Sequence, residues 1–240
     1  MGTSSSFGGP SKNPLLPDDY NDNSWKNAKT EFGKYMNNSG GDPSSLFGKY
    51  VKASGGAKAL ANSSIGGKAG FSGINDFIAQ VNDIGLKATL DSFRLLSEGK
   101  TLDEALSELA GIIAPIGKSK EEAVARKATI DTMMTFYDMI DEQNLDIEEA
   151  NSISSEFIDD LLCEYLKNYI TGLLLKDLGY GVEKYVEDPE MLSLKEQELR
   201  DFVDSKIYVM LKNSQLNQPT DKIIDTVFEG VMEIIGGNYE

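Results

Sequence analysis

Few residues in this chain could do chemistry, and the first of them is not a side chain. Gly2 follows Met1, so removal of the initiator methionine is expected to leave a free glycine amine. An α-amino group titrates near about 8, so a useful fraction is neutral and nucleophilic at neutral pH. No side chain obstructs an approaching acyl donor. Thr3, Ser4, Ser5 and Ser6 are small and polar, and Phe7, Gly8, Gly9 and Pro10 follow them. Such a segment can thread extended into a narrow active site. Ordering it costs entropy, so the contact is transient unless the partner also holds other surfaces. Met1-Gly2-x-x-x-Ser6 also matches the short, frequent N-myristoylation pattern. A vector-derived leader is the plain alternative for the first few residues.

The other candidates are weaker. Cys163 is the only cysteine and lies beside Leu162 in an apolar helical stretch, which predicts a buried, inert thiol rather than a nucleophile. Carboxylates cluster at Asp138/Asp141/Glu142, Asp146/Glu148/Glu149 and Asp159/Asp160/Glu164. Paired carboxylates can do acid/base work or hold Mg²⁺. These lie between the apolar positions of amphipathic helices, where a solvated face is the expected content. The stretch from Asp138 to Glu149 lacks the central glycine and the Asp spacing of a calcium loop. The chain has no histidine, which removes Ser-His and Cys-His pairs and His-ligated metal. A single cysteine excludes an intramolecular disulfide and every CxxC metal site. No GxxxxGK[ST] phosphate loop occurs.

Those groups must be positioned by a 240-residue chain of formal net charge −16. That length suits one domain, or one plus an extension. Residues 1–72 carry 8 lysines against 5 acidic residues, and residues 73–240 carry 15 basic against 34 acidic. An acidic body repels nucleic acid and anionic lipid, so neither direct nucleic-acid binding nor membrane association is expected. It suits a solvated surface, or docking of a basic partner. The best apolar run, Tyr165 to Leu178, is interrupted by Lys167, Lys176 and Asp177, well short of the ~20 apolar residues of a span. The N-terminus lacks a basic stretch followed by an apolar one, so no secretion signal is expected. With a free cysteine, this predicts a cytoplasmic location.

Along the chain, residues 1–24 read as a flexible tail. Gly8-Gly9-Pro10 and Asn13-Pro14 break the backbone, and Pro14-Leu15-Leu16-Pro17 forms a short extended apolar plug. Leu15 and Leu16 could enter a partner's groove or cover this protein's own body. Residues 25–72 form a glycine-rich, mildly basic segment with amphipathic pieces at Trp25 to Met36 and Ser44 to Ala53. Phe32, Tyr35 and Met36 share one face, as do Phe47, Tyr50 and Val51. The pairs Gly40-Gly41, Gly55-Gly56 and Gly66-Gly67 fit helix C-caps. Seven lysines, Lys26 to Lys68, could form a weak anion patch or simply be solvated.

From residue 73 to 240 the pattern predicts an acidic helical body. Thr101 with Glu104 forms a capping box ahead of Leu102, Leu106, Leu109 and Ile113. Ser119 with Glu122 opens a long helix with Ile130, Met133, Met134, Tyr137 and Ile140 inward. Ile158, Leu161, Leu162, Tyr165, Tyr169 and Leu173 mark another, stopped near Gly179 and Gly181. Ser193 with Glu196 opens a further helix carrying Leu199, Phe202, Val203, Met210 and Leu211. Pro219-Thr220 starts the last, with Ile223, Ile224, Val227, Phe228, Val231 and Ile235. The tyrosines and methionines are expected in the core. No stretch alternates with period two and no period repeats, so the fold class is all-α, an irregular helical bundle with an N-terminal tail.

The opening Met1-Gly2-Thr3-Ser4-Ser5-Ser6-Phe7-Gly8-Gly9-Pro10, then Asn13-Pro14-Leu15-Leu16-Pro17, resembles the start of the QatB family of the bacterial Qat anti-phage operon. The resemblance continues through Phe32 to Gly41 and Leu46 to Gly56. It returns more loosely at Ala123-Val124-Ala125-Arg126-Lys127-Ala128 and Lys176-Asp177-Leu178-Gly179. The chain carries Lys, Asn and Ile where that family is rich in Ala and Arg, as a low-GC genome would produce. The resemblance implies a four-part system with an ATPase (QatA), a QueC-like enzyme (QatC) and a TatD-like nuclease (QatD). QueC-like enzymes use ATP to activate a 7-deazaguanine carboxylate. The acceptor implied here is the Gly2 amine, with Thr3 to Pro10 and Leu15 and Leu16 as the partner-binding tail. ATP, zinc and the deazaguanine are then expected on the partner, and none on this chain. Two other readings stay open: an unmodified adaptor or phage sensor with a docking tail, and an N-myristoylated peripheral protein.

Overall fold

In the computed structural model the described residues are 23–38, 40–96, 100–114, 116–142, 153–179, 189–211 and 221–237. Among them the chain is helical throughout, with no strand. The helices are α1 (Ser24–Met36), α2 (Pro43–Ala53), α3 (Ala57–Ser63), α4 (Ile65–Ile84), α5 (Leu86–Ser92), α6 (Leu102–Ile113), α7 (Lys120–Glu142), α8 (Ser155–Leu178), α9 (Pro189–Leu211) and α10 (Asp221–Ile235). No described helix is long and apolar enough to cross a membrane.

Local chemistry explains several boundaries. Asp42 caps α2, its carboxylate accepting from the Ser45 N–H at 2.9 Å, with Pro43 in the first turn. That proline needs no partner for an N–H it lacks. Both expected capping boxes form. The Thr101 N–H donates to Glu104 at 3.1 Å. The Ser119 N–H donates to Glu122 at 2.9 Å while the Ser119 hydroxyl accepts from the Glu122 N–H at 3.0 Å. Hydrogen bonds from the backbone hold the Glu122 carboxyl below its usual range. After α2 the chain turns through Gly55 and Gly56, both at positive φ (91° and 94°), where a Cβ would be strained.

Three expectations need correction. Gly66-Gly67 does not end a helix; the pair lies in the first turn of α4. The helix carrying Leu199 and Val203 opens at Pro189, not at Ser193, which is already helical. Proline is favoured at a first helical position, so the start moves one turn upstream of the apparent box. Met134 is exposed, while Phe136 takes the inward place. The buried stripe of α7 runs Ala125, Ala128, Thr129, Thr132, Met133, Phe136, Ile140, and Met134 lies about 100° round from Met133. Tyr208 likewise stands at the surface. Gly181, Asp146, Glu148, Glu149, Pro219 and Thr220 lie outside the described residues, as do the Met210 and Leu211 side chains.

The core is one cluster. Helix α7 runs parallel to α4, since Gly66 closes on Glu121 and Phe77 meets Phe136 at 5.5 Å. Helix α8 returns antiparallel, with Phe157 on Phe136 and Tyr169 on Glu121. Helix α9 runs against α8, where the Arg200 guanidinium donates to the Asn168 amide oxygen. The amino-terminal helices lie over α8 and α9: Phe47 stacks on Phe202 at 5.5 Å, and the Tyr35 hydroxyl donates to Glu198 at 2.9 Å. Helix α10 sets Phe228 against Phe71 and Tyr169. The change from basic to acidic composition at residue 72 falls inside α4.

Candidate functional site

The tail residues singled out from the sequence, Gly2, Thr3, Ser4, Ser5, Ser6, Phe7, Gly8, Gly9, Pro10, Leu15 and Leu16, lie outside the described residues. What the structure describes is the point where the chain enters the body. Helix α1 begins at Ser24, and the Trp25 ring packs edge-on against Tyr50 at 6.2 Å. The Tyr50 hydroxyl donates to Asp177 near the end of α8 at 2.9 Å. Burial, and the Asp177 charge beside it, push the Tyr50 phenol far above its ordinary value, so it serves as a neutral hydrogen-bond donor. Helix α1 is thereby anchored to α2 and α8.

The body's chemistry-bearing side chains are engaged in packing. Cys163 is buried in α8. Burial first, then the charges of Asp204, Asp160 and Asp159, push its thiol up to about 12. A thiol so shifted is not ionised at neutral pH and is a poor nucleophile. Asp159 and Asp160 come together with Glu156 and Asp204 across α8 and α9. Partial burial raises both aspartates, and the neighbouring carboxylates push the same way. Asp138, Asp141 and Glu142 lie in the last turns of α7. Among the described residues no group of three or more His, Cys, Asp or Glu side chains could hold a metal ion.

Sequence reasoning missed the most elaborate polar arrangement in the body. Helix α4 has no side-chain cap of its own, because Ser64 turns its hydroxyl back to the Leu60 carbonyl at 2.9 Å. Glu121 of α7 caps it from outside. Its carboxylate accepts from the Gly66 N–H at 3.0 Å, the Gly67 N–H at 2.8 Å and the Tyr169 hydroxyl at 2.6 Å. A negative group there satisfies otherwise unpaired N–H groups and complements the helix dipole. The Tyr165 hydroxyl donates to the Gly67 carbonyl at 2.8 Å, and the Tyr165 and Tyr169 rings lie parallel at 6.1 Å.

Glycines make this approach possible. A Cβ on Gly67 would lie 2.2 Å from the Tyr169 ring, and one on Gly70 2.3 Å from the Tyr165 hydroxyl. Burial pushes both phenols far above their ordinary range. The Gly67-x-x-Gly70 spacing was the available signal, since small residues one turn apart on one face let helices close. The arrangement locks three helices together, and its polar groups are satisfied within it.

No curated protein and no solved structure matches the chain. The family described as Qat anti-phage system associated protein QatB matches residues 55–235. The match spans α3 to α10 and so takes in the Glu121 cap, its glycines and both tyrosines. It begins after the tail and after α1 and α2, where the quoted motifs are most specific. With well over half its length matched, the chain belongs to the QatB family of the Qat anti-phage system.

Proposed function

We propose that this chain is a non-catalytic component of the Qat defence system whose Gly2 amine accepts a 7-deazaguanine acyl group from a QueC-like partner. The observation that carries the reading is the Gly2 tail of small polar residues joined to a QatB-family body. The placement of Cys163, Tyr35, Tyr50, Tyr165, Tyr169 and Glu121 in packing roles supports a body that docks rather than reacts.

The step is an acyl transfer. The partner activates the deazaguanine carboxylate with ATP: a carboxylate oxygen attacks the α-phosphorus, pyrophosphate leaves, and an acyl-adenylate forms. The neutral Gly2 amine attacks its carbonyl carbon, an amide forms, AMP leaves with the C–O bonding pair, and the amine gives up a proton. Positioning is the partner's main contribution, because an aligned amine and activated acyl group react readily.

Intact mass of the chain co-expressed with its Qat neighbours tests the reading. A mass increase by the acyl group, localised to the N-terminal peptide, is expected. Gly2→Pro, which makes a constrained secondary amine, and an uncleaved N-terminal extension should each abolish it. Gly2→Val should hinder attack through its β-branch, with Met1 removal checked in the same spectrum. An unchanged wild-type mass in protected cells, with protection surviving the extension, overturns the proposal in favour of an unmodified adaptor.

A further inference from the structure

One end of the bundle exposes apolar side chains that the fold does not use. Ile116 is 85% exposed, Ile65 71% and Ile112 49%. They belong to one end because of Glu122. A Cβ on Gly66 would lie 3.0 Å from the Glu122 Cα, and one on Gly117 would lie 2.2 Å from the Glu122 Cβ. Each of these glycines directly follows an exposed isoleucine. The last turn of α6, with Ile112, is drawn in as the Arg126 guanidinium donates to the Ala114 carbonyl at 2.6 Å. Exposed apolar groups gathered at one end of a fold mark interaction surfaces more often than scattered ones do.

Two lysines border this end of an otherwise acidic body. Lys118 and Lys120 are exposed at the start of α7. Their acidic neighbours are occupied: Glu122 accepts from the Lys118 and Ser119 N–H groups, and Glu121 caps α4. Lysines at a helix N-terminus oppose its dipole, so they do not help α7 form. With Glu121 and Glu122 in the same turn the local charge is balanced, in a chain of net charge −16.

The tail enters at this same end. Trp25 packs on Tyr50, which bonds Asp177, and Asp177 lies two turns beyond Tyr169 on α8, past the α4 and α7 N-termini. Residues 2–22 precede the described chain, and such a stretch reaches at most roughly 75 Å when extended. That length is enough for an extended tail to carry Gly2 to a partner seated on the isoleucines.

We infer that Ile65, Ile112 and Ile116, rimmed by Lys118 and Lys120, form the docking face for the enzyme that acylates the tail. That enzyme engages them through an apolar pocket bordered by carboxylates. The inference rests on the reading that Gly2 is the acceptor. Binding of the full-length chain to the purified QueC-like partner, with intact-mass measurement of the adduct, tests it. Ile65→Glu/Ile116→Glu, at exposed positions, should weaken binding at least tenfold and lower adduct yield at limiting partner concentration. Its circular dichroism and Tm should match wild type. Lys118→Glu should weaken binding further and flatten its salt dependence. Ile84→Glu, an exposed isoleucine at the far end of α4, should bind as wild type. Deleting residues 2–20 should change affinity less than threefold.

Wild-type affinity and adduct yield in Ile65→Glu/Ile116→Glu would overturn the docking face while leaving Gly2 chemistry intact. Loss of binding in that variant, with no adduct ever formed on wild type, would keep the face and remove the chemistry. Two other results also overturn the inference. A wild-type dimer made monomeric by the substitutions assigns the face to a second copy. A tail-deleted chain that binds the partner at least tenfold more tightly assigns it to Leu15 and Leu16.

Discussion

Replacing Gly67 by alanine adds one methyl group, and the structure determines the sign of its effect. In an ordinary helix interior the change stabilises by up to about 1 kcal/mol, because glycine loses more backbone entropy on folding. At Gly67 the new Cβ would meet three Tyr169 atoms at 2.2, 2.5 and 2.6 Å. The ring is held by its hydrogen bond to Glu121, by Tyr165 stacked beside it and by Phe228 at 5.9 Å. Overpacking of this kind costs about 1–3 kcal/mol. If Tyr169 is driven from Glu121, a charge-assisted bond worth about 1.5–3 kcal/mol goes with it. After the propensity gain, a net loss of about 2–4 kcal/mol is expected, or a Tm fall of roughly 5–15 °C for a chain this long. Gly33→Ala is the matched control: Gly33 lies within α1 and a Cβ there meets nothing within 4 Å. It should gain about 0.5–1 kcal/mol. Urea unfolding followed by circular dichroism, with slopes compared to confirm similar exposed surface, reads both. Equal stability of the two variants would refute the close α4–α8 contact.

Glu121→Gln keeps the shape of the α4 cap but leaves one carbonyl oxygen to serve three donors; a loss of about 1.5–3 kcal/mol in the same urea assay is expected. It should combine with Gly67→Ala non-additively, because both act through Tyr169; strict additivity in the double variant would argue against a shared network. Cys163 should resist alkylation in the folded protein at pH 8 and react on denaturation, and Cys163→Ala should leave phage protection intact. Its thiol titrates near about 12 when folded and near about 8.5 when unfolded. The unfolded chain therefore binds fewer protons between these values, and the stability due to the neutral buried thiol, complete below pH 8.5, declines as pH rises. Wild type should lose stability above pH 9 more steeply than Cys163→Ala, and parallel profiles would show that the thiol is not held up. Deleting residues 1–20 should change Tm little, and a large fall would show that the tail packs on the body.

Much of the helical order was legible in the sequence because its causes are local. The boxes at Thr101/Glu104 and Ser119/Glu122 combine adjacent residue types with backbone groups three positions away. The apolar spacing of Leu106 and Leu109, or of Val227, Phe228 and Val231, follows from 3.6 residues per turn. The acceptor character assigned to Gly2 came from the family resemblance, and its residues lie outside those the structure describes. Pro189 shows a local signal misread: Ser193/Glu196 imitates a helix start that the proline had already made. The reading of Gly66-Gly67 failed for a different reason. Glycine serves a helix end and a close helix crossing equally well, and only the arrival of Tyr169 from about a hundred residues away decides which. Glu121 looked like one more solvated acid beside a capping box, yet it caps a helix that begins 56 positions earlier. Which isoleucines stay exposed was also beyond the pattern, since Ile113 packs against Gly73 while Ile112 and Ile116 beside it do not pack inward. Sequence thus determined most of the helices, whose rules act within a turn or two of chain. Only the tertiary structure decided which glycines admit a neighbouring helix, which carboxylate caps α4 and which isoleucines stay exposed, because those depend on groups that meet only once the chain has folded.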